Sequence, residues 1–348
     1  MKLGIVGLPQ SGRSTVFSAL TGARSDSEAR GSSRTDTRIA TIIVYDDRVD
    51  FLSDMYRPKK TTYAKIEYLL PSEIPSSSPS KSEGGIWNQA RICDALLHVV
   101  RNFKGLDGAS PSPERDFWKV EEEMILSDLV VAEKRIERIE MDRKRGKKPE
   151  GEEFSLVQSC CELLEKGKPI RSIPELASNP ILKGFTFLSA KPMLVIVNNG
   201  DEDEALPEWD RRPDGVELIA VRARLEGEIA SMLAEEAEEF LKAYDIQESI
   251  LDRVIKNSYR LLSRISFFTV GEDEVKAWPI VAGTLAVKAA GAVHSDIEKG
   301  FIRAETLSFE DLKTHGTFQA AKKSGLVRLE GKEYEVKDGD IINFRVNV

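Results

Sequence analysis

Lys2-Leu3-Gly4-Ile5-Val6-Gly7-Leu8-Pro9-Gln10-Ser11-Gly12-Arg13-Ser14-Thr15 is the stretch from which the rest of the chain is read. Residues 3–6 are an apolar run of strand character, Gly7 and Gly12 bracket a tight loop, and residues 16–20 carry the pattern of a helix. A strand, a glycine-bounded loop and a helix, in that order, are the context a phosphate-binding P-loop requires. Such a loop holds its anion with inward-turned backbone N–H groups and the positive end of the following helix. The Gly-x4-Gly spacing is kept, and Ser14 stands where a magnesium-binding hydroxyl belongs. The lysine that should follow the second glycine is Arg13, which keeps the charge on a larger planar fork. Gly7, Pro9, Gln10, Ser11, Gly12, Arg13, Ser14 and Thr15 are thus a candidate nucleotide-binding set. The alternative is a loop that keeps its shape for packing alone.

The length of 348 residues leaves room for two or three domains with a sizeable core. A net charge of −8 argues against general coating of nucleic acid, though a local basic patch remains open. Three cysteines, two of them adjacent (Cys160 and Cys161), make no metal or disulfide framework and suit a reducing cytoplasm. The N-terminal apolar run is too short for a signal peptide, and no apolar stretch approaches the ~20 residues a membrane span needs.

Further along, residues 24–38 are polar and read as a loop, and residues 39–45 and 63–70 read as strands. The Pro/Ser/Gly-rich segment 71–85 reads as loop, and 95–100 as a continuous apolar strand buried on both faces. Residues 117–141 are long, charged and roughly heptad-like through Val120, Met124, Ser127, Val131 and Lys134, with Leu126, Leu129, Ile136 and Ile139 widening the stripe. A basic turn (Arg143, Lys144, Arg145, Gly146, Lys147, Lys148) and a second helix over 152–166 follow, predicting an antiparallel helical hairpin. Buried strands return at 192–198 and 215–221, so the hairpin is an insertion in an α/β domain. Amphipathic helices over 228–244 and 248–263 lead to short strands and helices from residue 265, a small α+β module.

Several stretches now carry a resemblance. Ala277-Trp278-Pro279-Ile280, residues 290–305, residues 329–334 and residues 338–345 form the longest match. Ile125-Leu126-Ser127-Asp128-Leu129, residues 133–138, Gly167-Lys168-Pro169-Ile170-Arg171, Ala190-Lys191-Pro192 and residues 94–101 add to it. Through them the chain resembles the Obg-related, YchF-type P-loop GTPase/ATPase family with a C-terminal TGS domain. The resemblance implies ATP or GTP with Mg2+ as ligand, association with ribosomes or RNA, and a base-recognition motif Asn-x-x-Glu. Here that motif reads Asn198-Asn199-Gly200-Asp201, and the supporting Ser-Ala-Lys-type motif reads Arg222-Ala223-Arg224. The Asp-x-x-Gly of the second switch is replaced by Leu70-Pro71-Ser72-Glu73, so Asp and Gly are both absent. Pro71 has no N–H to offer a γ-phosphate. Hydrolysis needs a carboxylate on magnesium and a placed water; Glu73 and Asp46 are the only substitutes in view.

The expected fold is α/β. It is a P-loop NTPase-like sheet (1–112 and 190–264) with an inserted antiparallel helical hairpin (113–189), followed by a small α+β ubiquitin-like TGS domain (265–348). The expected function is a cytoplasmic nucleotide-binding regulatory protein of the translation apparatus, with weak or no hydrolysis and no membrane partner. An active slow ATPase or GTPase, and a nucleotide-free RNA- or protein-binding scaffold, stand as alternatives. Asn198, Asp201 and Ala223 join the loop residues as nucleotide contacts, Ser14 is the magnesium candidate, and Arg143, Lys144, Arg145, Lys147 and Lys148 are the RNA candidates. His98, inside an apolar strand, reads as a hydrogen-bonded core residue, and of Cys160 and Cys161 one is expected in packing and one at the surface.

Overall fold

The computed structural model describes residues 1–22, 37–72, 79–105, 108–146, 151–232, 234–244 and 249–347. In chain order the elements are β1 (Lys2–Val6), α1 (Arg13–Thr21), β2 (Arg38–Val44), α2 (Asp47–Tyr56), β3 (Lys60–Thr62), β4 (Ala64–Leu70), α3 (Pro79–Arg91), β5 (Ala95–Asn102), α4 (Pro113–Lys144), α5 (Gly151–Glu165), α6 (Pro174–Ala177), β6 (Met193–Asn199), β7 (Glu217–Val221), α7 (Ala223–Ala230), α8 (Ala234–Ala243) and α9 (Ile250–Leu261). The C-terminal part continues with β8 (Arg264–Val270), β9 (Glu274–Val281), α10 (Ala286–Val293), α11 (Ser295–Lys299), β10 (Phe301–Ser308), α12 (Phe309–His315), α13 (Phe318–Lys323), β11 (Arg328–Glu330) and β12 (Asp340–Val346). No helix among the described residues is long and apolar enough to cross a membrane.

Two compact units divide the chain: Met1–Ile42 with Glu67–Val254, and Ile43–Ile66 with Ile255–Val348. The first holds the order β2-β4-β1-β5-β6-β7 among the described residues. β1 pairs in parallel with β4 and β5, β5 with β6, and β6 with β7. Every residue of β6 is buried, as expected of a parallel sheet covered on both faces. α4 lays Phe117, Val120 and Met124 on Leu96, Val100, Val195 and Val197 of the sheet. Its next turns serve a second core, in which Ile125 and Ala132 meet Val157, Cys160, Cys161 and Leu164 of α5, with Ile170, Leu176, Leu182 and Phe187 closing the other side.

That second layer corrects two expectations. Cys160 and Cys161 are both buried, because α5 is covered by α4 on one side and by residues 170–187 on the other. Leu126, read into the apolar stripe, is 60 % exposed; the hairpin buries a narrower face than its heptads suggest. The loop expected over 71–85 also ends early, since α3 begins at Pro79.

The second unit has the order β11-β10-β12-β8-β9-β3 among the described residues. The short strand β3 pairs in parallel with β9, and Val49, Leu52 and Ala64 pack with Phe268, Val275, Leu307 and Phe309. Residues 43–66, assigned from sequence to the P-loop domain, thus share a core with the C-terminal residues. Arg48 completes the attachment, pairing with Asp46 and Asp338 at 2.7 Å each and lying over the Phe268 ring.

Candidate nucleotide site

β1, β6 and β7 end at the same edge of a parallel sheet, the carboxyl edge where α/β folds bind ligands. The loop after β1 is shaped by two glycines. Gly7 has φ +149°, and a Cβ there would stand 2.3 Å from the Val99 carbonyl oxygen of β5. Gly12 caps α1 in the left-handed conformation, φ +92°, where a Cβ would stand 2.1 Å from Asn198 Nδ2. Gln10 also takes a positive φ, 64°. Among the described residues no side chain caps α1, and Pro9, Gln10, Ser14 and Thr15 are exposed. This is the geometry of an anion-binding helix start. Ser11 is buried, and its Oγ has no hydrogen-bond partner among the described residues. Arg13 is only 4 % exposed, so its charge is drawn into the protein while its neighbours Ser14 and Thr15 face outward.

Asn198 stitches three segments together. Its Nδ2 donates to Ser11 O at 3.1 Å, and its Oδ1 accepts from Ala223 N at 3.2 Å. The loop after β1, the end of β6 and the start of α7 are thereby fixed around one buried amide. Ala223 is itself held, because Glu226 reaches back to Arg222 N at 3.0 Å and is gripped by Arg253 at 2.7 Å and 2.8 Å. Gly227 lets α7 approach α1 closely: a Cβ there would lie 3.3 Å from Ala19 Cβ. Asn199 takes a supporting role, accepting from Asn102 at 2.8 Å and donating to Asp203 O and Ala205 O.

Asp201, the residue read as the base-recognising acid, is engaged by Arg224. Its Oδ2 accepts from Arg224 Nε at 2.9 Å and also from Nη2. The carboxylate raises the Arg224 pKa above its ordinary value. An acid at this place is therefore present but already charge-paired, a feature the sequence motif did not display.

Two contributors were not singled out from sequence. Phe103 borders both loops, lying 3.8 Å from a Cβ built on Gly12 and 3.9 Å from one built on Gly200. Gln89 of α3 accepts from Thr37 Oγ1 at 2.5 Å and from Ser72 N at 3.2 Å, tying the residue before β2 to the second residue after β4. A lone Gln and a lone Phe carry no local signal; only the fold brings them there.

The catalytic groups of a hydrolase are thinner. β4 runs into Pro71 and the buried Ser72, and Glu73 lies outside the described residues. Asp46 is committed elsewhere, since its Oδ1 caps α2 by accepting from Arg48 N at 3.0 Å and it pairs with the Arg48 guanidinium. No group of three or more His, Cys, Asp or Glu among the described residues is placed to hold a metal. The exposed Ser14 hydroxyl suits a magnesium ion that takes its other ligands from phosphate and water.

His98 is fully buried and stacks on Phe117 with ring centroids 5.2 Å apart. Neither ring nitrogen has a hydrogen-bond partner among the described residues, which corrects the expectation of a hydrogen-bonded core histidine. Burial, helped by the charges of Arg171 and Arg13, pushes its pKa down to about 3. At the hairpin tip Arg143, Lys144 and Arg145 are exposed, with Arg143 over the Phe154 ring at 4.4 Å; Lys147 and Lys148 lie outside the described residues.

The chain is similar to known proteins over its whole length. A family model named for the C-terminal part of YchF GTPases, described as "Protein of unknown function (DUF933)", matches residues 264–347. The "Ribosome-binding ATPase YchF" of Bacillus subtilis (strain 168) is 38 % identical, covering 99 % of this chain and 99 % of its own. The protein of the same name from Escherichia coli O157:H7 is 35 % identical, covering 100 % and 99 %. Among solved structures, the Schizosaccharomyces pombe YchF GTPase superposes with TM-score 0.82 at 29 % identity, over 99 % of this chain and 97 % of that one.

Proposed function

The chain belongs to the YchF family, and we propose that it is a nucleotide-binding regulatory protein of the ribosome, binding ATP or GTP with little or no hydrolysis. The observation that carries this reading is the Asn198 amide. It joins the phosphate loop at Ser11 O to the start of α7 at Ala223 N, the frame a purine nucleotide needs to be held at both ends. Phosphates sit on the N–H groups of residues 12–15 at the start of α1, since Ser11 N donates to Leu8 O, with the buried Arg13 as the nearby cation. Magnesium, when bound with the nucleotide, supplies charge neutralisation on the phosphates and is held on the protein side by Ser14. The base lies towards Asn198 and Asp201, bordered by Phe103.

Turnover is weak because this chain does little to place a water. Pro71 carries no N–H, Asp46 serves α2, and Gln89 is occupied with Thr37 and Ser72. The relatives' printed name supports the ribosome as partner. The exposed Arg143, Lys144 and Arg145, with Lys147 and Lys148, are the residues we assign to RNA phosphate contact. The C-terminal unit supplies the TGS-type module, and the protein works where ribosomes are, in the cytoplasm.

Hydrogen exchange of the full chain with and without Mg-ATP or Mg-GTP tests the reading. Expected is slower exchange in peptides covering 7–15 and 198–205. Unchanged exchange there at saturating nucleotide would remove the site.

A further inference from the structure

A cavity lies at the opposite edge of the first unit's sheet from the candidate nucleotide site. It has a volume of about 470 Å³ and is formed by residues 91–94, 170, 176–177, 182–183, 186–187 and 190–192. That is within the range of small-molecule sites, ~300–1,000 Å³. Asp94 precedes β5 and Pro192 precedes β6, so the cavity opens at the amino ends of strands whose carboxyl ends carry the nucleotide site. At ~3.3 Å per residue, the length of β5 puts the two more than ~20 Å apart. One wall is the loop between α3 and β5; the other is the hairpin's trailing segment.

The lining has a definite chemistry. Ile170, Leu176, Leu182, Phe187 and Pro192 give it an apolar body. Its charged groups are Arg91, Lys183, Lys191 and Asp94, an excess of cations. Arg91 is spent on structure: it donates to Asp128 Oδ1 at 2.8 Å, Thr186 O at 3.1 Å and Ser127 Oγ at 2.9 Å. Asp94 Oδ2 accepts from Lys2 N at 2.8 Å. Lys191 is different. Among the described residues its ammonium makes one hydrogen bond, to Cys93 O at 2.5 Å, out of three donors. Burial lowers its pKa from the ordinary lysine value, against the opposing pull of Cys93, Asp94 and Asp128. Lys183 is exposed at the rim.

We infer that this cavity binds a small organic anion with an apolar body, its carboxylate on the Lys191 ammonium and its hydrocarbon against Ile170, Leu176, Leu182 and Phe187. Lys183 adds long-range attraction at the mouth. Because one wall is the hairpin's trailing segment and the other leads into β5, a bound anion ties the insertion to the sheet. The site is independent of the nucleotide reading and stands or falls without it.

The test uses the full chain and two probes, 8-anilinonaphthalene-1-sulfonate by fluorescence and octanoate by competition. Expected is one saturable class of dye site from which octanoate displaces the dye. Lys191→Met weakens both probes about tenfold, the size of one charge-assisted hydrogen bond. Lys183→Glu, on an exposed residue whose replacement leaves folding intact, weakens them about threefold. Lys299→Glu, exposed in the other unit, changes nothing. Octanoate that fails to displace the dye overturns the inference. So does displacement that proceeds equally well in Lys183→Glu and in Lys191→Met shown by circular dichroism to be folded. Should Lys191→Met not fold, Lys183→Glu alone decides: unaltered octanoate affinity in it rejects the site.

Discussion

Asn198→Ala tests the frame of the proposed nucleotide site from within. The amide is 4 % exposed, donates to Ser11 O at 3.1 Å and accepts from Ala223 N at 3.2 Å. Removing it leaves a buried carbonyl and a buried N–H without their partner. Each orphan costs about 1–2 kcal/mol, so the first unit should lose about 2–4 kcal/mol of stability. The vacated space beside Gly12 does not offset this. A Cβ on Gly12 would meet Asn198 Nδ2, so the amide packs against the loop as well as bonding to it. Urea unfolding followed by tryptophan fluorescence reads the loss, since Trp87, Trp118 and Trp209 pack in the first unit's core. Nucleotide affinity, read by calorimetry below the unfolding range, should fall at least about tenfold, because even 1.4 kcal/mol of lost positioning is tenfold in affinity. An Asn198→Ala protein within about 0.5 kcal/mol of the parent, the ordinary range for surface changes, with unaltered nucleotide affinity would refute the stitching role.

Four further outcomes follow from the same geometry. His98 is neutral when folded, with a pKa near 3, so the unfolded chain takes up its proton first as pH falls. Its contribution is full above pH ~6.5 and declines by about 1.4 kcal/mol per pH unit on acidification towards 3; His98→Leu should remove that component, and identical pH slopes for the two proteins would contradict it. The fully buried Asp128 accepts from Leu188 N at 3.0 Å, Ser189 N at 2.7 Å and Arg91 at 2.8 Å. Asp128→Ala should therefore cost about 3–5 kcal/mol in chemical denaturation, with a loss under ~1 kcal/mol against the reading. Arg224→Ala frees the Asp201 carboxylate for the N–H groups of guanine and should shift the GTP-to-ATP affinity ratio about tenfold towards GTP; an unmoved ratio places Asp201 away from the base. Glu at Arg143, Lys144 and Arg145 together should abolish sedimentation with ribosomes at low salt, and undiminished pelleting would take the hairpin tip out of the interface.

Local pattern carried much of the fold. The glycine spacing at Gly7 and Gly12, the unbroken apolar run before Arg101 and the long C-terminal match were enough to expect a P-loop sheet, an inserted hairpin and an α+β end. What escaped was non-local. β3 is three residues of Lys-Thr-Thr with no alternation to read, and only its pairing with β9 makes it a strand and draws residues 43–66 into the second unit. Cys161 is buried because residues 170–187 fold over α5, which helical periodicity cannot foretell. At the candidate site, the position of Asn198 at the end of a buried strand was legible, but its bonds to Ser11 O and Ala223 N and the capture of Asp201 by Arg224 were not. That pair depends on how the loop after β6 meets the start of α7. Gln89 and Phe103 are single residues of ordinary type, given meaning by where α3 and the end of β5 come to lie.

The most direct measurement is a calorimetric titration of the full chain with Mg-ATP, and separately with Mg-GTP, in which phosphate released in the same cell is counted at the end. Saturable one-to-one binding, lost in Arg13→Ala, with phosphate release at the level of the buffer blank is the expected result. No saturable heat with either nucleotide at millimolar concentration, or release far above the blank, would contradict a chain that holds its nucleotide without turning it over.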